Sequence, residues 1–208
     1  MIYQGFKAQL KWKTLPLMIL WRKAETRNVR KGGLALRTFS LIKGLPVTEV
    51  QSATKLGEVS DLSVSGKGKV EGLLIKKGNL FKKTYFLKVE HIHSFGGNGV
   101  VINSRNALER MKTPPGFTFE HHEQLSGRMM FSSDGKELGL LQDVYFLEEL
   151  GTIVGYELTD GFFSDITVGK RVVKTVDPPA IGKDAIVVNV ENIVNEVSID
   201  DDMPQLSE

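Results

Sequence analysis

Short runs of apolar residues recur along most of the chain, and residues typical of turns separate them. The clearest runs are residues 70–75, 100–102, 153–158 and 185–190. Glycine-containing segments such as 65–68 and 96–99 suit the tight connections of β-hairpins. The pattern is that of short strands and predicts an all-β fold, with short helical turns at 104–111 and 191–196.

The β-rich part of the chain contains an internal repeat. Residues 56–62 and 138–144 share the pattern Leu-Gly-x-apolar-x-Asp-apolar, and each is followed by an apolar strand with glycine in its third place. The order of such features agrees over about 70 residues, which indicates two copies of one supersecondary unit. The positions expected to be structurally equivalent are Gly57, Asp61 and Gly72 in the first copy and Gly139, Asp143 and Gly155 in the second.

Gly72 and Gly155 each lie inside a predicted strand, which suggests a bulge or a sharp bend of the sheet. Closing a sheet on itself removes its exposed edges, and this favours a barrel for a β domain of this size. The fold class expected is therefore all-β, with two tandem small barrels.

The sequence Pro114-Pro115-Gly116 cannot continue a strand ladder or a helix and therefore marks a boundary. The predicted organisation is an N-terminal extension over residues 1–35, a first barrel over 36–110, a linker over 111–119, a divergent second barrel over 120–197, and an acidic tail over 198–208.

Residues 1–35 match neither copy of the repeat. One hypothesis is a mis-assigned gene start, in which the codons for residues 31–33 form a purine-rich ribosome-binding sequence and translation begins at Leu36. The alternative is a genuine basic arm for a membrane surface or a nucleic acid. N-terminal mass spectrometry of the native protein distinguishes the two.

The net charge of +2 conceals three segments of different sign. Residues 1–33 carry eight Lys/Arg against one acidic residue, residues 36–110 carry twelve against six, and residues 111–208 carry seven against eighteen. The balances are +7, +6 and −11, and their sum is +2 because Leu34 and Ala35 are neutral. The two copies of the repeat therefore have net charges of opposite sign. The net charge of the whole chain thus does not indicate a single nucleic-acid-binding face.

The chain has no cysteine, so it has no disulfide framework, no thiolate metal site and no cysteine nucleophile. No stretch approaches the roughly 18 apolar residues of a membrane-spanning helix. The apolar run 15–20 follows two lysines but lacks a small-residue cleavage site, so a secretory signal is not expected. A cytoplasmic location is the expectation.

Residues 44–47, Gly-Leu-Pro-Val, followed by the motif at 56–62 and a glycine-bearing hairpin strand, resemble the PRC-barrel domain family. That family is named after the cytoplasmic domain of the photosynthetic reaction-centre H subunit, and it includes the C-terminal domain of the ribosome maturation factor RimM. The two-copy layout resembles YrrD-type proteins of spore-forming Gram-positive bacteria. In the second copy, Arg128-Met129-Met130 replaces Leu-Pro-Val. The resemblance implies a compact barrel used as an adaptor surface, with no catalytic residue and no cofactor.

Four lysines, with aromatic residues nearby, form the strongest candidate surface for a partner. They are Lys76, Lys77, Lys82 and Lys83, and Phe81, Tyr85 and Phe86 follow or lie between them. Such a mixture can contact phosphate and stack on bases. The alternative is a solvated hairpin tip whose aromatic side chains turn inward.

Other candidate chemistry is weak. His91 and His93 would share one strand face and could supply two zinc ligands, but a site needs at least one more, so no metal is expected. Asp61 and Asp143 lie one in each copy, and they are expected to accept backbone N–H bonds at turns rather than to act as a catalytic pair. No nucleophile motif or phosphate-binding loop is present.

Two functional hypotheses remain. The first is a non-catalytic adaptor that binds another protein, its two barrels either docked on each other or leaving a bipolar surface. The second is an RNA- or ribosome-associated factor that uses the basic first barrel. Tethering to an anionic membrane by the N-terminal arm is less favoured, and the sequence does not predict the oligomeric state.

Overall fold

A computed structural model describes residues 35–78, 83–111, 113, 115–148, 151–160, 171–175 and 177–195. Apart from Ala35, the predicted extension over residues 1–35 lies outside them, as do the acidic tail and Lys82. Within the described part of the chain, no helix has the length and apolarity needed to cross a membrane.

Sixteen strands and one short helix are assigned in the described residues, together with 3-10 turns at Val89–His91 and Arg105–Ala107. The first half contains β1 (Leu36–Thr38), α1 (Phe39–Ile42), β2 (Pro46–Glu49), β3 (Lys55–Val64), β4 (Val70–Lys77), β5 (Lys83–Lys88), β6 (Ile92–Gly96), β7 (Gly99–Ile102) and β8 (Leu108–Arg110). The second contains β9 (Phe117–Thr118), β10 (Met129–Ser132), β11 (Glu137–Leu147), β12 (Ile153–Thr159), β13 (Arg171–Thr175), β14 (Ala180–Ile181), β15 (Ala185–Val188) and β16 (Val190–Asn195).

The strands form two sheets of the same topology. The first runs β6-β7-β2-β3-β4-β5-β8 and the second β14-β15-β10-β11-β12-β13-β16. In each, the long central strand carries antiparallel neighbours, and one parallel pair joins the copy's early strand to a late one, β2 to β7 and β10 to β15. The predicted all-β fold and the tandem repeat are thus confirmed, since equivalent strands occupy equivalent places.

The long strands β3 and β11 bury most of their length because both of their faces are covered. In β3 the side chains of residues 61–64 are all buried, and in β11 those of residues 143–146 are buried. The ladder slips by one residue between Val59 and Asp61 and between Leu141 and Asp143. These bulges re-aim the side chains that follow them, and each repeat aspartate directly follows one.

One continuous hydrophobic core extends through both halves of the described chain. Its fully buried members include Leu62 and Leu73 from the first sheet and Val144 and Phe146 from the second. The two repeats are therefore docked on each other, which decides between the two arrangements that the sequence left open.

Of the two expected helical turns, the one within 104–111 is confirmed in part and the one at 191–196 is wrong. The helical turn expected at 191–196 is strand β16, whose residues pair with β13 from Arg171↔Asn195 to Thr175↔Val190. At 104–111 the helical part is limited to Arg105–Ala107, and the chain then enters strand β8. In both places a neighbouring strand offers ladder hydrogen bonds that outweigh weak local helical preference.

Candidate functional site

Asp61 and Asp143 lie at the junction of the two repeats. Their exposed fractions are 0% and 4%, so both carboxyl groups are removed from solvent. A buried carboxyl group needs hydrogen-bond donors to offset the loss of hydration. The donors that satisfy them come partly from the opposite repeat.

Asp143 caps the first turn of α1, although it belongs to the other repeat. Its Oδ1 accepts the backbone N–H of Phe39 at 3.0 Å and that of Val144 at 2.7 Å, and its Oδ2 accepts the N–H of Ser40 at 3.1 Å. Thr38, at the N-cap position, makes no side-chain capping bond. The aspartate therefore satisfies N–H groups that a helix start leaves without intrahelical partners.

Burial raises the pKa of the Asp143 carboxyl group above its usual value, because desolvation penalises the charged form. Hydrogen bonds from Ser40 and Val144 act in the opposite direction and favour the carboxylate. Since the folded-state pKa is the higher one, this group contributes most to stability in acid, and the contribution declines as the pH rises through that pKa.

Asp61 makes the equivalent contacts from β3 to the start of the second repeat. Its Oδ1 accepts the backbone N–H of Glu120 at 3.0 Å and that of Leu62 at 2.8 Å. Its Oδ2 lies 2.6 Å from Nδ1 of His121. Both aspartates thus accept hydrogen bonds from backbone N–H groups, as we expect from the sequence. In addition, each one accepts a backbone N–H from the other repeat.

The strands at this junction are exchanged between the repeats. β1 precedes the first sheet in the chain but pairs with β11, with Thr38 opposite Tyr145. β9 precedes the second sheet but pairs with β3, with Thr118 opposite Ser63. We define the exchange junction as β1, β9, the two aspartates, and the aromatic side chains between them.

Aromatic and charged side chains complete the exchange junction. The rings of Phe39 and Phe119 are both 2% exposed and lie 4.9 Å apart between their centroids, tilted by 59°. Lys43 Nζ forms an ion pair with Glu120 at 2.6 Å. Arg37 Nε pairs with Glu148, while the same guanidinium donates to the carbonyl of Phe95 at 2.7 Å.

Sequence reasoning did not find this exchange. A signal for it exists in the dipeptide Thr-Phe, which occurs at residues 38–39 and 118–119, just before the two equivalent sheets. The dipeptide marks equivalent segments, but only the three-dimensional contacts show that each segment joins the sheet of the other repeat.

Three of the four repeat glycines lie where two parts of the backbone approach closely. A Cβ added to Gly72 would lie 2.4 Å from the carbonyl oxygen of Leu87 on β5, and one added to Gly57 would lie 2.7 Å from that of Lys76. At Gly139 the corresponding distance to the carbonyl oxygen of Thr159 is 2.9 Å, and the backbone φ is +120°. Gly155 has more room, since its nearest neighbour is a Val172 methyl carbon at 3.3 Å.

The predicted lysine surface lies on the hairpin formed by β4 and β5, which we call the basic hairpin. Lys77 and Lys83 are exposed and directly opposite each other across the two strands, while Lys76 is half-buried and opposite Thr84. The structure therefore places three of the four predicted lysines on one hairpin, with Lys77 and Lys83 as a cross-strand pair; the fourth, Lys82, lies outside the described residues.

The aromatic residues of the basic hairpin are only partly available to a ligand. Tyr85 is half-buried and packs against the hydrophobic core, and Phe86 is half-buried as well. Lys77 Nζ lies 6.0 Å from the centroid of the Tyr85 ring, at the outer limit of a cation–π contact. Phe81 lies outside the described part of the chain. The arrangement offers positive charge more than a stacking platform.

The two histidines that sequence placed on one strand face do not share a strand. His91 ends the 3-10 turn and His93 lies in β6. Within the described ranges, no group of three or more His, Asp or Glu side chains is arranged to hold a metal ion.

A charged cluster that sequence reasoning did not single out surrounds Glu49, at the end of β2. This side chain accepts the hydroxyl of Ser52 at 2.5 Å, the backbone N–H of Arg105 at 2.8 Å, and the Arg105 guanidinium at 3.0 Å. The bonds from Arg105 are the main reason that the pKa of Glu49 is lowered from its ordinary value of 4.5 to about 2.

The lowered pKa of Glu49 predicts a loss of stability in acid. A depressed folded-state pKa means that the stabilisation is present above pH 4.5 and is lost as the pH falls through about 2. We expect Glu49→Gln to be less stable than wild type at pH 6, with the difference shrinking as the pH falls over this range. Urea unfolding across the range measures this, with the exposed Glu137→Gln as the control. A constant difference between wild type and Glu49→Gln would contradict the assignment.

Comparison with known proteins gives two concordant results. The PRC-barrel domain family matches the chain twice, over residues 37–109 and again over 118–201. The uncharacterized protein YrrD of Bacillus subtilis (strain 168) is 35% identical over 178 residues, which cover 83% of this chain and 99% of that protein. Two family matches and two sheets of one topology lead to the same conclusion: the chain is a tandem-repeat member of the PRC-barrel family.

Proposed function

We propose that the chain is a non-catalytic adaptor that binds an acidic protein surface through the basic hairpin. The observation that carries the proposal is the placement of Lys77 directly opposite Lys83, both exposed. Like charges opposite each other on neighbouring strands destabilise a sheet. An acidic partner would turn this unfavourable pair into a favourable contact.

Two further features support a binding role in place of a catalytic one. Asp61 and Asp143 are the carboxylates most suggestive of acid–base chemistry. Both are buried, and both accept hydrogen bonds from backbone N–H groups. Lys77 and Lys83 are both exposed, so their charge is available to a partner. Charge complementarity of this kind mainly increases specificity and the rate of association.

A direct test reverses the charges of the hairpin. The triple variant Lys76→Glu, Lys77→Glu, Lys83→Glu should lose at least about tenfold of the affinity for the protein that co-purifies with wild type, because three favourable contacts become repulsive. The matched control reverses three exposed lysines elsewhere, Lys67, Lys136 and Lys183. Equal binding by both triple variants, measured by surface plasmon resonance with the purified partner, would contradict the proposal.

The second candidate, binding of RNA by the same hairpin, rests on the contact between Lys77 and Tyr85. It predicts affinity for single-stranded RNA that falls steeply with salt, with a slope of log K against log salt of about −2 for three phosphate contacts. Co-purification that resists nuclease and shows a shallower slope favours the protein partner.

A further inference from the structure

The contacts of the exchange junction join one repeat to the other. The backbone ladders join β1 to β11 and β9 to β3, and each aspartate accepts N–H groups from the opposite repeat. A further bridge joins Lys69 to Thr152, where the N–H of Val70 donates to the carbonyl of Gly151 at 2.8 Å. Each repeat therefore needs a strand and N–H donors from the other repeat to complete its own sheet and to satisfy its aspartate.

The charges of the junction favour the pairing of a first repeat with a second one. Ser40 directly follows the Thr-Phe dipeptide of the first repeat, and Glu120 directly follows that of the second, so the two residues occupy equivalent places. Two first repeats paired in this way would place Lys43 opposite a serine and would lose the 2.6 Å ion pair. The +6 and −11 balances of residues 36–110 and 111–208 act in the same direction.

The exchange junction, as defined above, includes no residue of the connection between the repeats. β8 ends at Arg110 and β9 begins at Phe117, so six residues, with the sequence Met-Lys-Thr-Pro-Pro-Gly, connect them. The aspartate contacts, the exchanged ladders and the ion pairs described above all involve residues outside this stretch. If the connection instead leads to a second repeat that docks on another copy of the chain, the same contacts can form between the two copies. This is the condition for domain swapping at low cost.

We propose that the exchange junction also joins two copies of this chain. In the resulting dimer the first repeat of each copy pairs with the second repeat of the other, which gives a closed two-fold assembly containing two complete junctions. The proposal does not depend on the adaptor function, because the basic hairpin lies on β4 and β5 and not in the junction.

The first test uses the full wild-type chain. It is unfolded in urea and refolded at increasing protein concentration, and its mass is measured by size-exclusion chromatography with light scattering. We expect a dimer whose fraction rises with the concentration during refolding and which persists after dilution, because separation requires the junction to open. A chain that refolds only to monomer at every concentration would overturn the proposal.

A sharper test uses two full-length variants, Lys43→Glu and Glu120→Lys. Within a single chain, each variant places two like charges at the Lys43–Glu120 pair. In a mixed swapped dimer, one junction contains glutamate opposite lysine and the other contains the native pair, so both are attractive. After co-refolding of chains of distinct isotopic mass, native mass spectrometry should show mixed dimers above the share that random pairing gives.

The double variant Lys43→Glu, Glu120→Lys is the control, since its charges match within one chain. Mixing it with wild type should give no excess of mixed dimers, because a swapped junction would then contain like charges. An equal share of mixed dimers in the two experiments would show that any dimer forms through another surface, and would overturn the proposal. Both residues are partly exposed, with side-chain exposures of 48% and 27%, so the variants retain the core.

Discussion

Replacing Asp143 by alanine should lower the free energy of unfolding by about 3 kcal/mol. The change removes the acceptor for the backbone N–H groups of Phe39, Ser40 and Val144. Leaving a buried donor unsatisfied costs about 1–3 kcal/mol, and partial access of water near the exposed Ser40 reduces the total. The lost hydrogen bonds from Phe39 and Ser40 join one repeat to the other, so α1 and β1 should become more mobile as well.

Urea unfolding at pH 7 measures the stability of this variant, and amide hydrogen exchange at Phe39 and Ser40 reports the loosening. The matched control is Asp184→Ala, which removes an exposed carboxylate of the same repeat and should change the stability by less than about 0.5 kcal/mol. If the two variants unfold alike, or if the Phe39 and Ser40 amides stay protected in Asp143→Ala, the capping role is wrong.

Replacing Gly151 by alanine should destabilise the protein by a similar amount, about 3 kcal/mol, for a steric reason. The residue has a φ of +63°, which alanine adopts at a cost. An added Cβ would also lie 2.1 Å from the carbonyl oxygen of Val70, which is backbone of the other repeat and cannot rotate away. Relieving the overlap would stretch the 2.8 Å hydrogen bond from the N–H of Val70.

The control for this prediction is Gly66→Ala, at the tip of the hairpin between β3 and β4. No atom lies within 4 Å of a Cβ built there, and its φ is not in the positive range. Its stability should stay within about 0.5 kcal/mol of wild type. Thermal unfolding of both variants measures the difference in stability. A Gly151→Ala protein as stable as Gly66→Ala would show that the backbones of the two repeats do not approach each other at this position.

Local chemistry explains why the tandem repeat could be predicted from the sequence. Gly57 recurs as Gly139 because the adjacent backbone passes close to both positions; Gly72 has the same close approach, whereas its counterpart Gly155 meets only side-chain atoms. Asp61 and Asp143 recur because each follows a bulge on the long strand and accepts the backbone N–H of the next residue. These constraints act within one hairpin, so a spacing along the chain is enough to reveal them.

Partner strands decided the elements that were predicted wrongly. Residues 191–196 were expected to form a helical turn, yet residues up to Asn195 extend along β13, since a ladder supplies hydrogen bonds that a single turn cannot. His91 and His93 alternate correctly for a strand, but the chain enters β6 only at Ile92. Such choices depend on a neighbour that is distant in sequence.

The sequence by itself determined that the chain is all-β, that it contains two copies of one unit, and which family that unit resembles. It also located the lysines of the basic hairpin, because charge and strand alternation are local properties. Only the tertiary structure decided that the copies exchange their first strands, with Thr38 beside Tyr145 and Thr118 beside Ser63. The physical reason is that either long strand offers similar hydrogen-bonding groups to either segment. The choice between them depends on burial of Phe39 against Phe119 and on the Lys43–Glu120 ion pair, which exist only once the repeats are docked.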